Sequence, residues 1–216
     1  MTNFSAINAP KLVYSPYGDA SSRGTYGMVA IDSSAIYEGS FVSNMDALGT
    51  ALAEGVRAFA DDDLIVGVAQ YFTKYGSSLP IKSAADGGAG SITNPTGILP
   101  MKYTFASTNG RADAARKLEL VQILPVLPGD IWEVTLLNDA GTATVNRGTT
   151  VGSDLEGYAM SINTTSPFGL QESTASLTTA NLDAVIVSLN GRFPERTDRV
   201  YVQFLRLVAT ATLAES

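Results

Sequence analysis

Apolar and polar positions along the 216-residue chain alternate in short runs, with a period near two rather than 3.6. The strongest run of the first half is LIVGVAQYF, Leu64 to Phe72. It is β-branched, apolar and long enough to cross a sheet, and Gly67 inside it marks a bulge or a close backbone approach. Residues 28–42, MVAIDSSAIYEGSFV, read as two short strands around an Asp-Ser-Ser turn. In the second half Ile98–Phe105, Leu118–Leu124, Ile131–Leu137, Gly157–Asn163 and Ala184–Leu189 read as strands. Pro128-Gly129-Asp130 supplies a turn, and Asn138-Asp139-Ala140-Gly141 closes a hairpin. The last run, Arg199 to Leu213, places Val200, Val202 and Phe204 on one face and Tyr201, Gln203 and Leu205 on the other.

Helical spacing occurs at Met45, Leu48, Leu52, Val56 and Phe59, which predicts one short helix. Gly49 and Gly55 each cost it about 1 kcal/mol relative to alanine, so a loop-and-strand path is the alternative. Arg111–Lys117 is an Ala/Arg-rich stretch with room for one or two helical turns. The pattern therefore predicts a mainly β protein: an antiparallel barrel or sandwich, as one unit or two small β subdomains, with one or two short helices. Residues 1–27 carry Pro10, Pro16, Gly18, Gly24 and Gly27 among Phe4, Tyr14, Tyr17 and Tyr26. They read as an extended N-terminal arm, wrapping its own subunit or lying on a neighbour. Residues 28–82 form a first β-rich subdomain, 83–97 (SAADGGAGSITNPTG) a linker or long loop, and 98–216 a second barrel or sandwich. No repeat of 20–50 residues stands out, but IVGVAQ and AVIVSL are candidates for equivalent strands of two related halves.

Composition narrows the chemistry. Charged residues make up 16% of the chain, against roughly 25% in typical soluble domains, so the surface rests on Ser, Thr, Asn and Gly or is covered by neighbouring subunits. A net charge of −7 opposes a phosphate backbone and an anionic membrane surface. The densest basic cluster, Arg111, Arg116 and Lys117, is interleaved with Asp113 and Glu119. No run approaches 18 apolar residues, and the first residues lack a secretory pattern, so synthesis in a cytoplasm is the expectation. The Asn-X-Ser/Thr triplets at Asn3 and Asn163 then read as chance.

The chain contains no cysteine and no histidine. That removes disulfides, thiolate nucleophiles, the commonest transition-metal ligands and the Ser–His relay. Phosphate-binding and nucleophile-elbow motifs are absent. Asp61-Asp62-Asp63 is a candidate for a hard cation, with a solvated turn as the plainer reading. Trp132 with Tyr71, Phe72 and Tyr75 is a candidate sugar-binding groove, with core or interface anchoring as the plainer reading. Nothing in the spacing selects two carboxylates for hydrolysis. The expectation is no catalytic residue, no cofactor and no metal.

Four segments together resemble the decoration, or cement, proteins of tailed-bacteriophage heads. They are IYEGSFV (Ile36–Val42), DDDLIVGVAQ (Asp61–Gln70), LPGDIWEVTL (Leu127–Leu136), which resembles the turn and strand that open such a barrel, and DRVYVQFLR (Asp198–Arg206), which resembles a closing strand. The resemblance implies a virion protein made in the host cytoplasm that binds the outside of a capsid shell, with the major capsid protein for a partner; a symmetric oligomer of the chain itself, a dimer or trimer, would explain the low charge density. It brings no catalytic residues. A tail-tube or neck protein, and a carbohydrate-binding or adhesive β module, are the alternatives.

Overall fold

The computed structural model of the chain describes residues 9–19, 23–30, 36–37, 39–46, 55–60, 63–74, 102–103, 119–138, 141, 143–147, 156–157, 159–163, 169–171 and 182–207. All its regular elements there are strands, and they divide into two compact units. One is Gly24–Pro125; the other joins Met1–Arg23 to Val126–Ser216.

The first unit holds β2 (Tyr26–Ala30), β3 (Ile36–Tyr37), β4 (Phe41–Asp46), β5 (Gly55–Ala58), β6 (Asp63–Lys74), β7 (Lys102–Tyr103) and β8 (Glu119–Pro125). Five of these close into a barrel in the order β2-β5-β4-β6-β8, while β3 and β7 pair with each other. Inside lie Ile36, Val42, Val56, Ala69, Val121 and Ile123, all fully buried, with Met28, Ala58 and Val66 packed against them. The expected features of Gly67 are both present. Val42 pairs with Gly67 and Ser43 with Ile65, so Val66 is the extra residue of a bulge. A Cβ at position 67 would also lie 2.4 Å from Ile123 Cγ2 and 2.5 Å from the Leu124 carbonyl oxygen.

The second unit holds β1 (Lys11–Tyr14), β9 (Ile131–Leu137), β10 (Ala159–Ile162), β11 (Leu170–Gln171), β12 (Ala184–Val187) and β13 (Arg199–Phe204). Its sheet runs β1-β9-β11-β10-β12-β13, and β13 pairs back onto β9, so five strands again complete a hydrogen-bonded circuit. Trp132, Leu136, Met160, Leu170, Ile186 and Val202 form its interior, with the Trp132 and Phe204 rings edge-on at 6.4 Å between centroids. The predicted faces of β13 are correct: Val200, Val202 and Phe204 are buried while Tyr201, Gln203 and Leu205 are not. The hairpin after β9 is also present. Gly141 N–H donates to the Asn138 carbonyl, Gly141 has φ +64°, and Leu137 bridges to Thr144. A second tight turn, Asn190-Gly191, has both residues at positive φ and reciprocal hydrogen bonds between Leu189 and Arg192, the geometry of a type I′ turn.

The two units share one topology. Let the strands of each circuit be counted one to five in chain order: β2, β4, β5, β6, β8 in the first unit and β9 to β13 in the second. Both circuits then run first, third, second, fourth, fifth and back to first. In both, the first–third pair is parallel and the other four pairs are antiparallel. The fifth strands also agree in sequence: Val121-Gln122-Ile123-Leu124 and Val202-Gln203-Phe204-Leu205. Their valines face Met28 and Trp132 of the first strands, and Ile123 and Phe204 face Ala69 and Ala184 of the fourth. IVGVAQ and AVIVSL do lie in equivalent fourth strands, but the register matches Ala69, not Ile65, to Ala184.

Several expectations are corrected. The helix over 45–59 is not formed at its described residues: Met45 lies in β4 and Val56 in β5, because both flanks find ladder partners that a Gly-interrupted helix could not match. The expected division at 83–97 is replaced by one at Pro125/Val126, since β8 closes the first barrel instead of opening the second. Residues 1–27 are not a uniform arm. Lys11–Tyr14 is a strand on β9 of the same chain, and Tyr26 and Gly27 already belong to the first barrel. Residues 83–97 and 111–117 lie outside the described residues.

Gly67→Ala should lower the unfolding free energy by about 2–3 kcal/mol, because the clash is with backbone and cannot be relieved by a rotamer change. Urea denaturation followed by far-UV circular dichroism checks it, and an unchanged midpoint would contradict the close packing.

Candidate interaction site: the seat of the N-terminal strand on β9

The site begins with a turn written in the sequence. Leu127-Pro128-Gly129-Asp130 has Gly129 at φ +83° and an Asp130 N–H to Leu127 carbonyl bond of 3.1 Å, a type II turn with proline and glycine where that turn requires them. Asp130 folds back so that its Oδ2 accepts the Leu127 N–H at 2.9 Å. The turn starts β9 and leaves the Asp130 side chain buried.

A buried carboxylate needs a cation or several donors. Arg23 meets the need with both terminal nitrogens: Nη1 donates to Oδ2, and Nη2 to Oδ1 at 3.0 Å. Nη2 also donates to Ser15 Oγ, which in turn accepts the Tyr17 N–H at 3.1 Å. Pro16 lies against the turn, its Cγ 3.1 Å from where a Cβ on Gly129 would stand. Ser15, Pro16 and Arg23 of the N-terminal segment are thus fastened to the turn that opens β9.

Next to this clamp, β1 runs antiparallel to β9, with Lys11 opposite Glu133, Leu12 opposite Trp132 and Tyr14 opposite Ile131, and a bulge at Val13. Leu12 is buried, which is worth about 2 kcal/mol. Arg199 of β13 closes the other end. Its Nη2 donates to the Ala9 carbonyl at 2.7 Å and to the Glu133 carbonyl at 3.3 Å, while Nη1 pairs with Glu133 Oε1 at 3.2 Å. Burial pushes the Arg199 guanidinium down from its ordinary value, opposed by the Glu133 carboxylate, yet an arginine so placed stays charged. Seat and strand together form a peptide-recognition arrangement: a sheet edge for main-chain pairing, a socket for Leu12, a cation for one carbonyl and a carboxylate clamp.

The neighbouring loop is pinned in the same way. Arg147 donates from Nη1 to the Arg196 carbonyl at 2.9 Å and from Nη2 to the Pro194 carbonyl at 2.9 Å, and lies 5.5 Å over the Phe193 ring. Arg196 and Asp198 pair on the surface with Nη2–Oδ2 at 2.6 Å, and this hydrogen bond holds the Asp198 carboxyl below its ordinary value.

The residues singled out in the sequence are placed elsewhere. Trp132 is fully buried in the core of its unit, so it does not line an exposed aromatic groove. Tyr71 instead sits with its hydroxyl 3.3 Å from Thr25 Oγ1. The Phe72 side chain and Tyr75 lie outside the described residues. Asp63 is buried and committed: its carboxylate accepts from Arg57 at 2.6 Å and 3.3 Å and from the Ala60 N–H at 3.0 Å. It is a turn cap rather than a cation ligand or a solvated residue, and Asp61 and Asp62 lie outside the described residues. Asn163 is buried with its amide donating to the Gly141 carbonyl at 2.8 Å, so it is not presented for glycosylation. Asn3, Arg111, Asp113, Arg116 and Lys117 lie outside the described residues, as does the Glu119 side chain. Among the described residues no group of three or more acidic side chains could hold a metal ion. Sequence reasoning missed Arg23, Ser15 and Arg199. The one available signal was an Arg beside glycine in a segment otherwise poor in charge. Comparison with protein-family models, curated proteins and solved structures finds no match for the chain.

Two outcomes follow from this geometry. Arg23→Ala leaves a buried carboxylate without its cation and should cost about 3–5 kcal/mol. Urea denaturation measures that loss, and faster tryptic cleavage after Lys11 should accompany it. For Asp198, whose folded pKa is lowered, the stabilisation is present above its ordinary value of 3.8 and is lost as pH falls through the lower folded value. The stability gap between wild type and Asp198→Asn should therefore be constant from neutral pH to about 5 and shrink progressively in stronger acid, as read by denaturation across that range.

Proposed function

We propose that this chain is a non-enzymatic virion structural protein that binds and stabilises the outside of a tailed-phage capsid. The observation that carries the reading is the use made of its buried charges. Asp130, Asp63, Asp183 and Arg199 each bind main chain or an ion partner that fixes a turn or a strand. Side chains spent on holding backbone suit a protein whose task is mechanical. Two closed β units of one topology, a low charge density and a strand fastened by a recognition seat also suit many weak contacts on a shell. The resemblance of Ile36–Val42, Asp61–Gln70, Leu127–Leu136 and Asp198–Arg206 to cement proteins supplies the specific partner, the major capsid protein, with copies of the chain itself as the second. The site lies at the capsid surface, and the oligomer is a dimer or trimer.

A tail-tube or neck role is the second reading, favoured by the same β units. The sugar-groove form of the carbohydrate reading loses its support with the burial of Trp132.

Purified chain should cosediment with expanded capsids, saturate at a fixed ratio to the major capsid protein and raise the temperature at which the shells rupture. No cosedimentation, together with tubes or rings of the chain alone in negative-stain micrographs, would transfer the assignment to the tail or neck.

A further inference from the structure

Of the surface features, the edge of β1 is the first to test as an interaction site, because β1 is the outermost strand of its sheet. Its chemistry opposes simple addition of another strand. Pro10 and Pro16 flank it, Lys11 stands exposed on it, it is four residues long, and the bulge at Val13 breaks its register. These are the devices by which natural sheets block edge-to-edge pairing. Association through this arm must therefore go by replacement of β1, not by pairing onto it.

Replacement is what the seat permits. The circuit β9-β11-β10-β12-β13 closes without β1, so lifting the strand leaves the barrel of the second unit complete. β11 pairs with β9 at Leu136 and Leu137, which leaves Ile131–Glu133 on that flank to β1. The covalent path from strand to seat is long: Glu133 follows Lys11 by 122 residues (133 − 11), and the path runs through the whole first unit. Pro16, Tyr17, Gly18 and Asp19 are all exposed, with Tyr17 at 63%, and Gly18 holds φ +128° with open space around it. That is a surface hinge with little burial to lose. The contacts that define the seat are main-chain pairing, the Leu12 socket, the Arg199 grip on the Ala9 carbonyl and the Asp130–Arg23–Ser15 clamp. A second, identical chain can make each of them unchanged, which is why exchange of an element between protomers is a low-cost route to oligomers.

We propose that the seat on β9 is an exchange site, in which Ala9–Ser15 of a second copy of this chain takes the place held by the chain's own strand. The proposal rests on the assembly reading above and adds the means by which copies are laced together: Arg199, through the Ala9 carbonyl, and Arg23, held on Asp130 and donating to Ser15 Oγ, are the two charged groups that meet the incoming segment. Exchange trades one set of hydrogen bonds for the same set, so the balance is set by protein concentration and by the conformation of residues 16–19.

The absence of cysteine makes the test clean, since introduced thiols react alone. Tyr14 and Ile131 face each other across the β1–β9 ladder, and so do Lys11 and Glu133. Full-length Tyr14→Cys and Ile131→Cys variants are mixed at high concentration, unfolded and refolded together, and treated with a short bis-maleimide. The double variant is treated in parallel, and Lys11→Cys with Glu133→Cys repeats the experiment should Ile131→Cys disturb folding. Exchange predicts a covalent dimer in the mixture of single variants, at least tenfold above either alone, and products between chains in the double variant that increase with concentration. Products confined to one chain at every concentration would overturn exchange. If the chain then still oligomerises by light scattering or cosediments with capsids, the assembly reading stands; loss of all three removes both.

Discussion

In each unit the fifth strand hydrogen-bonds to both the first and the fourth, and the rest of the structure depends on that double pairing. β8 joins β2 to β6, and β13 joins β9 to β12. A sheet whose ends are joined has no open edge within the circuit, so its interior can be wholly apolar. The Val-Gln-Ile-Leu and Val-Gln-Phe-Leu segments serve this by alternation. Their first and third residues fill the interior opposite the first and fourth strands, and the glutamines between them face away. Agreement in strand order, in the single parallel pair and in this segment identifies the two units as two versions of one design.

Closure explains where the charges go. The chain has few of them, and several that it has are buried at loop and strand ends, where main-chain groups would otherwise lack partners. Asp63 caps the turn between β5 and β6, Asp183 accepts the Ile162 N–H at 2.8 Å, and Arg147 gathers carbonyls of the loop before β13. Each replaces a water or a backbone partner by a charge-assisted bond of greater strength. The result is that connections at strand ends are tied to the closed units by charged side chains.

The N-terminal strand stands apart from this economy. It lies outside the circuit that it joins, is built from four residues, and is held at its two ends by Arg199 and by Arg23, itself fixed on Asp130, rather than by its own length. Its flanking prolines and bulge protect the sheet from indiscriminate pairing while leaving the seat beneath it specific.

The sequence by itself determined the class and most strand positions. Period-two alternation is a local property, and it located β6, β8, β9 and β12 to within a few residues and the start of β13, which ends at Phe204 rather than running on toward Leu213. Turn chemistry is equally local, so Pro128-Gly129 and the turn at Asn138–Gly141 were legible, and Gly67 marked a close backbone approach because a Cβ there would meet the Leu124 carbonyl. Tertiary structure decided everything that joins distant residues. Nothing near Val121 says that it will face Met28, and nothing near Leu12 says that it will face Trp132. The boundary at Pro125, the shared circuit, the burial of Trp132 and the pairing of Arg23 with Asp130 across 107 positions all belong to this kind. The physical reason is the same throughout. Alternation states which face of a strand is buried, but the partner is chosen by closure of the whole sheet, to which each strand contributes without encoding it.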